Sequence, residues 1–200
     1  MALDPMDRDE VKVIHKTTLH DGRLKVIDVR YEAPLFAGGM GEAASREVVQ
    51  RQDAAAALVH DIERDVIILC EQFRAPAYLA GGGWLIELPA GKVDGEETPE
   101  DCIRRELEEE IGYRARDLDP IATYFAAPGY STERVHLFYA PVIGDDLIDE
   151  AAHGVDAGED VRRVEQPLKT FLERVRLGKF EDSKIMAAGA WAVTRLGKGK

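Results

Sequence analysis

Apolar and polar residues alternate along the first part of the chain in a way that predicts short strands. Residues 11–16 and 24–31 alternate and are rich in β-branched side chains, which favours β structure. The sequence His-Asp-Gly at residues 20–22 is a turn signal and predicts a hairpin between them. Residues 46–50 are a further candidate strand. Because two or three strands are only marginally stable alone, residues 1–50 are predicted to form a small N-terminal β segment that needs a partner surface.

Beyond residue 50 the apolar pattern changes between strand-like and helix-like periods. Strands are predicted at residues 54–60, 66–73, 85–88, 121–126, 134–141 and 161–164. Helices are predicted at residues 99–111, 168–175 and 183–196. This order of strands and helices favours helices layered over a mixed sheet. Residues 51–200 are therefore predicted to form one α/β domain, an α/β/α sandwich with a mixed β-sheet.

The helix predicted at residues 99–111 has both a start signal and a stop signal. Thr98 suits the N-cap, Pro99 the first helical position and Gly112 the C-terminal stop. Apolar residues at i, i+4 and i+8 form a stripe that is expected to face a core. This stripe consists of Ile103, Leu107 and Ile111.

Three glutamates of this helix predict a site for a hard metal ion. Glu106, Glu109 and Glu110 lie three and four residues apart, and residues at that spacing share one face of a helix. Glu106 and Glu110, the first candidates for metal ligands, lie off the apolar stripe. A face with three carboxylates repels itself unless cations are present, and Mg2+ or Mn2+ suits such oxygen ligands. Because Mg2+ also recruits substrate phosphates, the pattern points to phosphate chemistry with Mg2+ or Mn2+ as the cofactor.

The segment from Gly91 to Tyr113 matches a longer pattern, G-x5-E-x7-R-E-U-x-E-E-x-G-U, in which U is a bulky apolar or aromatic residue. Its fixed positions are Gly91, Glu97, Arg105, Glu106, Glu109, Glu110 and Gly112. A single E-x-x-E pair would suit an ordinary surface helix, but the full pattern resembles the signature of the Nudix hydrolase family. The resemblance extends from about residue 54 to about residue 195. It implies the Nudix-type α/β/α sandwich with a mixed β-sheet plus a small N-terminal β subdomain.

The resemblance also assigns roles within this segment. The helix glutamates are the expected metal ligands, and the backbone carbonyl of Ala90 is implied as a further ligand. Arg105 is expected to form an ion pair with Glu97 that fixes the preceding loop to the helix, and the alternative is a solvated charge. Arg105 and Glu109 are thus placed with the catalytic residues as well.

The catalytic base is expected in a loop well after this helix. Similar enzymes often take a glutamate from a mobile loop there. Residues 153–160 read HGVDAGED, and Glu159, just before a predicted strand, is the best match, with Asp156 as the fallback. The alternative interpretation is a solvated acidic loop that takes no part in catalysis.

Two further segments resemble ADP-ribose pyrophosphatases within the family. Pro128 lies fifteen residues after Tyr113, within APGYSTE, where that subgroup carries a proline. Residues 71–78, EQFRAPAY, also resemble that subgroup and the GDP-mannose pyrophosphatases. Tyr130 is a discordant sign, because dinucleoside polyphosphate hydrolases often carry a tyrosine seventeen residues after the signature.

Arg74, Glu133 and Pro128 are the candidate substrate-binding residues. Arg74 offers a planar fork that can pair with a phosphate, and the alternative is a surface charge at the end of a strand. Glu133 is a candidate contact for a ribose or for a second metal ion, with a similar alternative.

Composition narrows the range of partners. A formal net charge of −12 with no basic stripe argues against nucleic-acid binding. Cys70 and Cys102 lack metal-ligand spacing and are predicted to be buried free thiols. The start of the chain lacks the apolar run of a signal peptide, and no stretch approaches the roughly 18 apolar residues of a membrane span. A cytoplasmic protein with no membrane partner is expected.

The resemblance implies Mg2+-dependent hydrolysis of the pyrophosphate bond of a nucleoside diphosphate sugar, with ADP-ribose giving AMP and ribose 5-phosphate. The first alternative is GDP-mannose or another sugar nucleotide. A damaged nucleoside triphosphate or a dinucleoside polyphosphate follows. A non-catalytic module that senses a nucleotide is the alternative from another class. By the same resemblance, residues 1–50 are expected to reach across a homodimer.

Overall fold

The computed structural model describes residues 10–152 and 160–197 of the chain. In these residues the strands are β1 (Lys12–Asp21), β2 (Lys25–Glu32), β3 (Ala44–Gln50), β4 (Ala54–Asp61), β5 (Val66–Phe73), β6 (Trp84–Glu87), β7 (Ala90–Lys92), β8 (Asp119–Phe125), β9 (Arg134–Val142) and β10 (Val161–Pro167). The helices are α1 (Ala75–Leu79), α2 (Pro99–Ile111), α3 (Leu168–Arg176) and α4 (Ser183–Arg195), and a 3-10 turn covers Gly144–Asp146.

The chain divides into two compact units. The first contains the described residues up to Gln52 together with Phe125–Glu133. The second contains Asp53–Tyr124 and the described residues from Arg134 onward. A single boundary at residue 50 therefore differs from this division, because it leaves out the return segment Phe125–Glu133.

The first unit is a three-stranded antiparallel sheet in the order β1-β2-β3. The hairpin and the third strand predicted from the alternation are confirmed. The return segment joins β3 through its backbone: the amide of Val49 donates to the carbonyl of Tyr130 at 2.7 Å, and the amide of Thr132 donates to the carbonyl of Val49 at 3.1 Å. The amide of Arg51 also donates to Oγ1 of Thr132 at 2.9 Å.

Little of the first unit is buried. All ten residues of β1 are exposed, and the side chains of Val13, Ile14 and Leu19 on this strand are 51%, 50% and 52% exposed. Among the described residues of this unit, Ile27 is the one apolar side chain that is buried. The three-stranded sheet therefore lacks a core of its own, as expected for so few strands.

The second unit is built on a mixed sheet. Its strand order is β10-β5-β4-β9-β8, with β6 paired to β5 and β7 paired to β4. β4 and β9 run parallel, whereas β4 is antiparallel to β5 and β7. The sequence of β4 begins with a continuous apolar run, and the strand is buried along nearly its whole length, as is usual for a strand with both faces covered. The predicted mixed sheet is confirmed.

Helices cover both faces of this sheet. Residues Ala55, Ala57 and Val59 of β4 belong to the core cluster that α2 completes. Because side chains alternate across a strand, Ala56 and Leu58 point to the opposite face, and they are fully buried as well. On that face α3 packs against β5 and β10, and α4 packs against β4 and β9. The predicted α/β/α sandwich is therefore confirmed.

Both ends of α2 follow the signals in the sequence. Thr98 accepts the amide hydrogen of Asp101 through its side chain at 3.1 Å. Gly112 closes the helix with φ 74°, a conformation that suits glycine. The apolar stripe, Ile103, Leu107 and Ile111, is fully buried.

The last turn of α2 is also held by two other segments. The carbonyl of Gly112 accepts the amides of Ile148 at 2.8 Å and Asp149 at 3.2 Å. A Cβ at Gly112 would overlap with the carbonyl of Asp149, so the close approach requires glycine. From β10, Nη1 of Arg163 donates to the carbonyl of Ile111 at 2.9 Å. The end of this helix is therefore fixed to both.

Two short elements were not predicted from the sequence. α1 has five residues and β7 has three, which is too short for either period to be visible. Trp84 lies at the start of β6, where its side chain is 61% exposed and its ring centroid is 5.8 Å from that of Phe73. None of the helices in the described residues is long and apolar enough to cross a membrane.

A buried carboxylate fixes the turn between β4 and β5. Asp61 is fully buried and accepts Nε of Arg64 at 2.6 Å. Arg64 also donates to Glu165 at 2.8 Å and to the hydroxyl of Tyr113 at 3.1 Å. Burial acts to raise the pKa of Asp61, but hydrogen bonds from the backbone and side chain of Arg64 outweigh it, so this pKa lies below its usual 3.8.

We predict that Asp61→Asn makes the free energy of unfolding less dependent on pH in the acid range. Because the folded-state pKa of Asp61 lies below that of the unfolded chain, its contribution is present above about pH 4 and is lost as the pH falls through the folded value. At neutral pH the variant should lose about 1–3 kcal/mol of unfolding free energy. Urea unfolding between neutral pH and about pH 3 measures both effects.

The matched control for this prediction is Asp117→Asn, since Asp117 is exposed. Its unfolding free energy should follow that of the wild type at every pH. If Asp61→Asn has the same acid dependence as the wild type, the stabilising role of the Asp61 carboxylate is wrong.

Candidate active site

Two carboxylates of α2 lie against the short strand β7. The amide of Ala90 donates to Oε2 of Glu110 at 3.1 Å. One residue further on, a Cβ at Gly91 would overlap with the carboxylate of Glu106. The absence of a side chain at Gly91 therefore lets Glu106 lie directly on the strand. The glycine that begins the sequence signature is explained by this close approach.

Glu110 is held in a buried position. Its side chain is among the buried charged groups of the second unit, and Sγ of Cys70 donates to Oε2 at 3.7 Å. Burial and then the charge of Glu110 raise the pKa of the Cys70 thiol well above its usual value, so the thiol stays protonated and remains a donor. Cys70 and Cys102 are both free and buried, which confirms the expectation for the cysteines.

Arg105, on the same helix, binds three carboxylates. Its guanidinium donates to Glu106 at 2.7 Å, to Glu109 at 2.9 Å and to Glu97 at 3.2 Å. Burial acts to lower the pKa of Arg105, but the three carboxylates outweigh it and raise this pKa above its usual value. The predicted ion pair between Arg105 and Glu97 is confirmed.

Glu97 fixes the loop that precedes the helix. The amide of Asp94 donates to Oε1 of Glu97 at 2.8 Å, and the same oxygen accepts Arg105. The hydrogen bond from Asp94 and then the one from Arg105 lower the pKa of Glu97. Glu97 therefore remains ionised and connects the loop to α2, an orienting role for both members of the ion pair.

The donors at this site suit a hydrated divalent cation. In residues 10–152 and 160–197, no three His, Cys, Asp or Glu side chains are arranged so that they would hold a metal ion by themselves. Mg2+ does not require such a cage, because it usually keeps several waters and binds one or two carboxylates together with substrate phosphates. The carboxylates of Glu106 and Glu110 lie beside β7, and Arg105 binds both Glu106 and Glu109. That they bind a metal stays a prediction, as does the role of the Ala90 carbonyl.

Sequence reasoning missed a buried charge network next to this site. Glu87, at the end of β6, accepts Nε of Arg74 at 2.7 Å and Nζ of Lys184 at 3.1 Å. Lys184 also donates to Asp182 at 2.9 Å. Glu87 and Lys184 are 97 positions apart, so no local pattern could have indicated the pair. Of this network, Arg74 alone was a predicted site residue.

The remaining predicted residues do not join this group of contacts. Pro128 is exposed and Glu133 pairs with Arg51 at 3.3 Å, all within the first unit. Their role in substrate binding stays a prediction. Glu159 and Asp156 lie outside the described residues.

The fold and the acidic helix define the class of protein. The sequence model of the NUDIX domain matches residues 50–181, which is more than half of the chain. The chain therefore belongs to the Nudix family, and it is a Nudix hydrolase.

Relatives in three organisms are similar over most of their length. The ADP-ribose pyrophosphatase of Escherichia coli is 31% identical over 186 residues, 92% of this chain and 88% of the relative. The ADP-ribose pyrophosphatase of Bacillus subtilis is 34% identical over 179 residues, 90% of both chains. The GDP-mannose pyrophosphatase of Cronobacter sakazakii is 37% identical over 143 residues, 70% of this chain and 73% of the relative.

A solved structure agrees with the fold. The crystal structure of an ADP compounds hydrolase superposes with a TM-score of 0.69 and covers 93% of this chain and 96% of its own. At 20% sequence identity, this similarity supports the architecture alone.

We predict that Gly91→Ala impairs metal binding more than it impairs folding. The new Cβ would overlap with the Glu106 carboxylate, and that side chain is flexible enough to turn away from the strand. Mn2+ affinity, measured by electron paramagnetic resonance titration, should fall at least about tenfold. The thermal midpoint should change little.

Gly144→Ala is the matched control, because a Cβ there meets Glu63 only at an ordinary distance of 3.8 Å. It should leave Mn2+ affinity unchanged. Unaltered Mn2+ binding in Gly91→Ala would show that Glu106 does not need its position on β7 to bind the ion.

Proposed function

We propose that the protein hydrolyses the pyrophosphate bond of a nucleoside diphosphate sugar with Mg2+ or Mn2+, and that ADP-ribose is cleaved to AMP and ribose 5-phosphate. The observation that carries the proposal is that the carboxylates of Glu106 and Glu110, both on α2, lie against the strand Ala90–Lys92. It puts two hard oxygen donors side by side, next to an arginine that holds a third carboxylate, Glu109.

The reaction places few demands on the protein beyond charge and position. A bound divalent cation supplies charge neutralisation and an activated water. Glu106 and Glu110 hold the cation, and the ion pair between Arg105 and Glu97 fixes the preceding loop to the helix. Glu159 is proposed to accept the proton of the attacking water. Arg74 is proposed to contact a phosphate, since its planar guanidinium suits that ligand.

The relatives support a sugar nucleotide as substrate. Two ADP-ribose pyrophosphatases match over about nine tenths of this chain, and Pro128 is the residue expected of that subgroup. A GDP-mannose pyrophosphatase has the higher identity over a shorter match, which favours GDP-mannose as the second candidate. A cytoplasmic location remains part of this proposal.

We expect Glu106→Gln and Glu110→Gln each to lower kcat with ADP-ribose and Mg2+ at least about a hundredfold, because each removes a charge that holds the cation. Glu159→Gln should lower kcat far more than it changes KM. The assay measures AMP and ribose 5-phosphate with a panel of sugar nucleotides, with and without Mg2+.

Glu108→Gln is the control on the same helix, since the side chain of Glu108 is 38% exposed and pairs with Arg114. It should keep wild-type kinetics. Near-wild-type turnover in either metal-site variant would contradict the ligand assignment, and release of free ribose or inorganic phosphate as the first product would contradict the proposed bond. Preference for GDP-mannose in the panel would select the second candidate.

We further propose that the protein is a homodimer in which the first unit covers part of the partner. The support is the exposed β1, the edge strand of the sheet β1-β2-β3, where Val13, Ile14 and Leu19 present apolar surface. Such a surface is unfavourable in water, which supports an interface here. Pro128 and Glu133, which belong to this unit, are proposed to contact the sugar nucleotide.

The double variant Val13→Glu, Leu19→Glu should weaken the dimer, because it places charges on the surface that is proposed to be buried. Light scattering at micromolar concentration should detect monomers, and KM for ADP-ribose should rise. Thr17→Glu is the control, since Thr17 is a polar residue of the same exposed strand. A wild-type protein that is monomeric at this concentration would refute the dimer.

A further inference from the structure

Glu87 holds a different cation on each of its oxygens. It is a buried residue at the C-terminal end of β6. Oε2 accepts Nε of Arg74 at 2.7 Å, and Oε1 accepts Nζ of Lys184 at 3.1 Å. The two cations differ in exposure, since the side chain of Lys184 is 16% exposed and that of Arg74 is 40% exposed. Glu87 therefore connects a largely buried lysine to a more exposed arginine.

Lys184 is fixed by the start of α4. Asp182 caps this helix by accepting the amides of Lys184 at 3.1 Å and Ile185 at 3.3 Å. The same carboxylate accepts Nζ of Lys184 at 2.9 Å and the amide of Leu88 at 3.4 Å. The ammonium group thus lies between the helix cap and β6, and it has little freedom to move.

The charges of the network balance only when Lys184 is present. Glu87 and Asp182 are both buried, and the two positive charges are those of Lys184 and Arg74. Burial acts to lower the pKa of Lys184, but Asp182 and Glu87 outweigh it and raise this pKa above its usual value. Without the ammonium group, two buried carboxylates would face each other, and Arg74 would be the remaining cation to neutralise Glu87.

The position of Arg74 depends on Glu87. Its ion pair uses Nε, so the two Nη groups at the outer end of the fork are not used in that pair. Its backbone amide is held by the carbonyl of Gly83 at 2.7 Å. A guanidinium that is anchored through Nε can present both Nη groups to an anion without losing its internal ion pair.

We propose that Lys184 is a positioning residue that acts through Glu87 to hold Arg74 in place for a phosphate-bearing ligand. This inference rests on the proposed function, because it takes Arg74 as a phosphate contact. Lys184 sets how far Arg74 is drawn toward Glu87, and it does not itself touch the ligand.

A double-mutant cycle on ligand affinity tests the inference. The probe is an ADP-ribose analogue in which a methylene group replaces the bridging oxygen, measured by calorimetry with Mg2+. Lys184→Met should lower its affinity about tenfold when Arg74 is present, and less than about twofold in an Arg74→Ala background. Lys184→Arg should restore affinity to within about threefold of the wild type. A purely structural lysine would lower affinity equally in both backgrounds.

Two controls keep the result interpretable. Lys169→Met removes an exposed lysine of α3 and should leave affinity unchanged. Glu87→Gln has nearly the same volume as the native residue and weakens both ion pairs, so it replaces Lys184→Met in the cycle if that variant does not fold, as judged by circular dichroism. The same loss confined to the Arg74 background is then expected.

The inference is overturned if Lys184→Met, or its replacement Glu87→Gln, lowers affinity by the same factor with and without Arg74, or if Arg74→Ala leaves affinity unchanged. A wild-type protein that binds the analogue but does not cleave ADP-ribose would refute the proposed hydrolysis, while the cycle would still decide the role of Lys184. A wild type that binds no analogue would refute both.

Discussion

The hydrogen bond from the amide of Ala90 to the carboxylate of Glu110 is the contact on which the site depends. It joins the helix that carries the glutamates to a strand of only three residues, and it lies where the charge is buried. A buried carboxylate needs such donors because it cannot be solvated. With Glu110 held in this way, Glu106, one turn earlier on the helix, lies directly against Gly91. The contact joins the glycine that begins the signature to the glutamates near its end.

The local features of the helix could be predicted from sequence, because they depend on neighbours in the chain. The cap at Thr98, the buried stripe and the left-handed Gly112 involve residues within one or two turns. The charge network could not, because Glu87 and Lys184 meet only after the sheet has formed. For the same reason the attachment of Phe125–Glu133 to β3, through contacts about eighty positions apart, was invisible in the sequence.

The negative charge of the chain is compensated near the site by a few ion pairs, and not by the overall composition. With a formal net charge of −12, the protein repels an anionic ligand at long range, but that repulsion is screened over about 8 Å at physiological salt. Near the site, Arg105 binds three carboxylates and Arg74 and Lys184 share Glu87. The carboxylates thus fix the positions of the arginines and the lysine. Each ion pair also neutralises part of the positive charge that an anionic ligand would meet.

The way in which the last turn of α2 is attached limits how freely the neighbouring segments of the chain can change. Asp149 and Ile148 on one side, and Arg163 on the other, all bind the end of this helix. Glu109 and Glu110 lie in that last turn, so a shift of either segment would also move these two carboxylates. The backbone of residues 148–149 and the side chain of Arg163 are therefore constrained together with the helix, although neither belongs to the sequence signature.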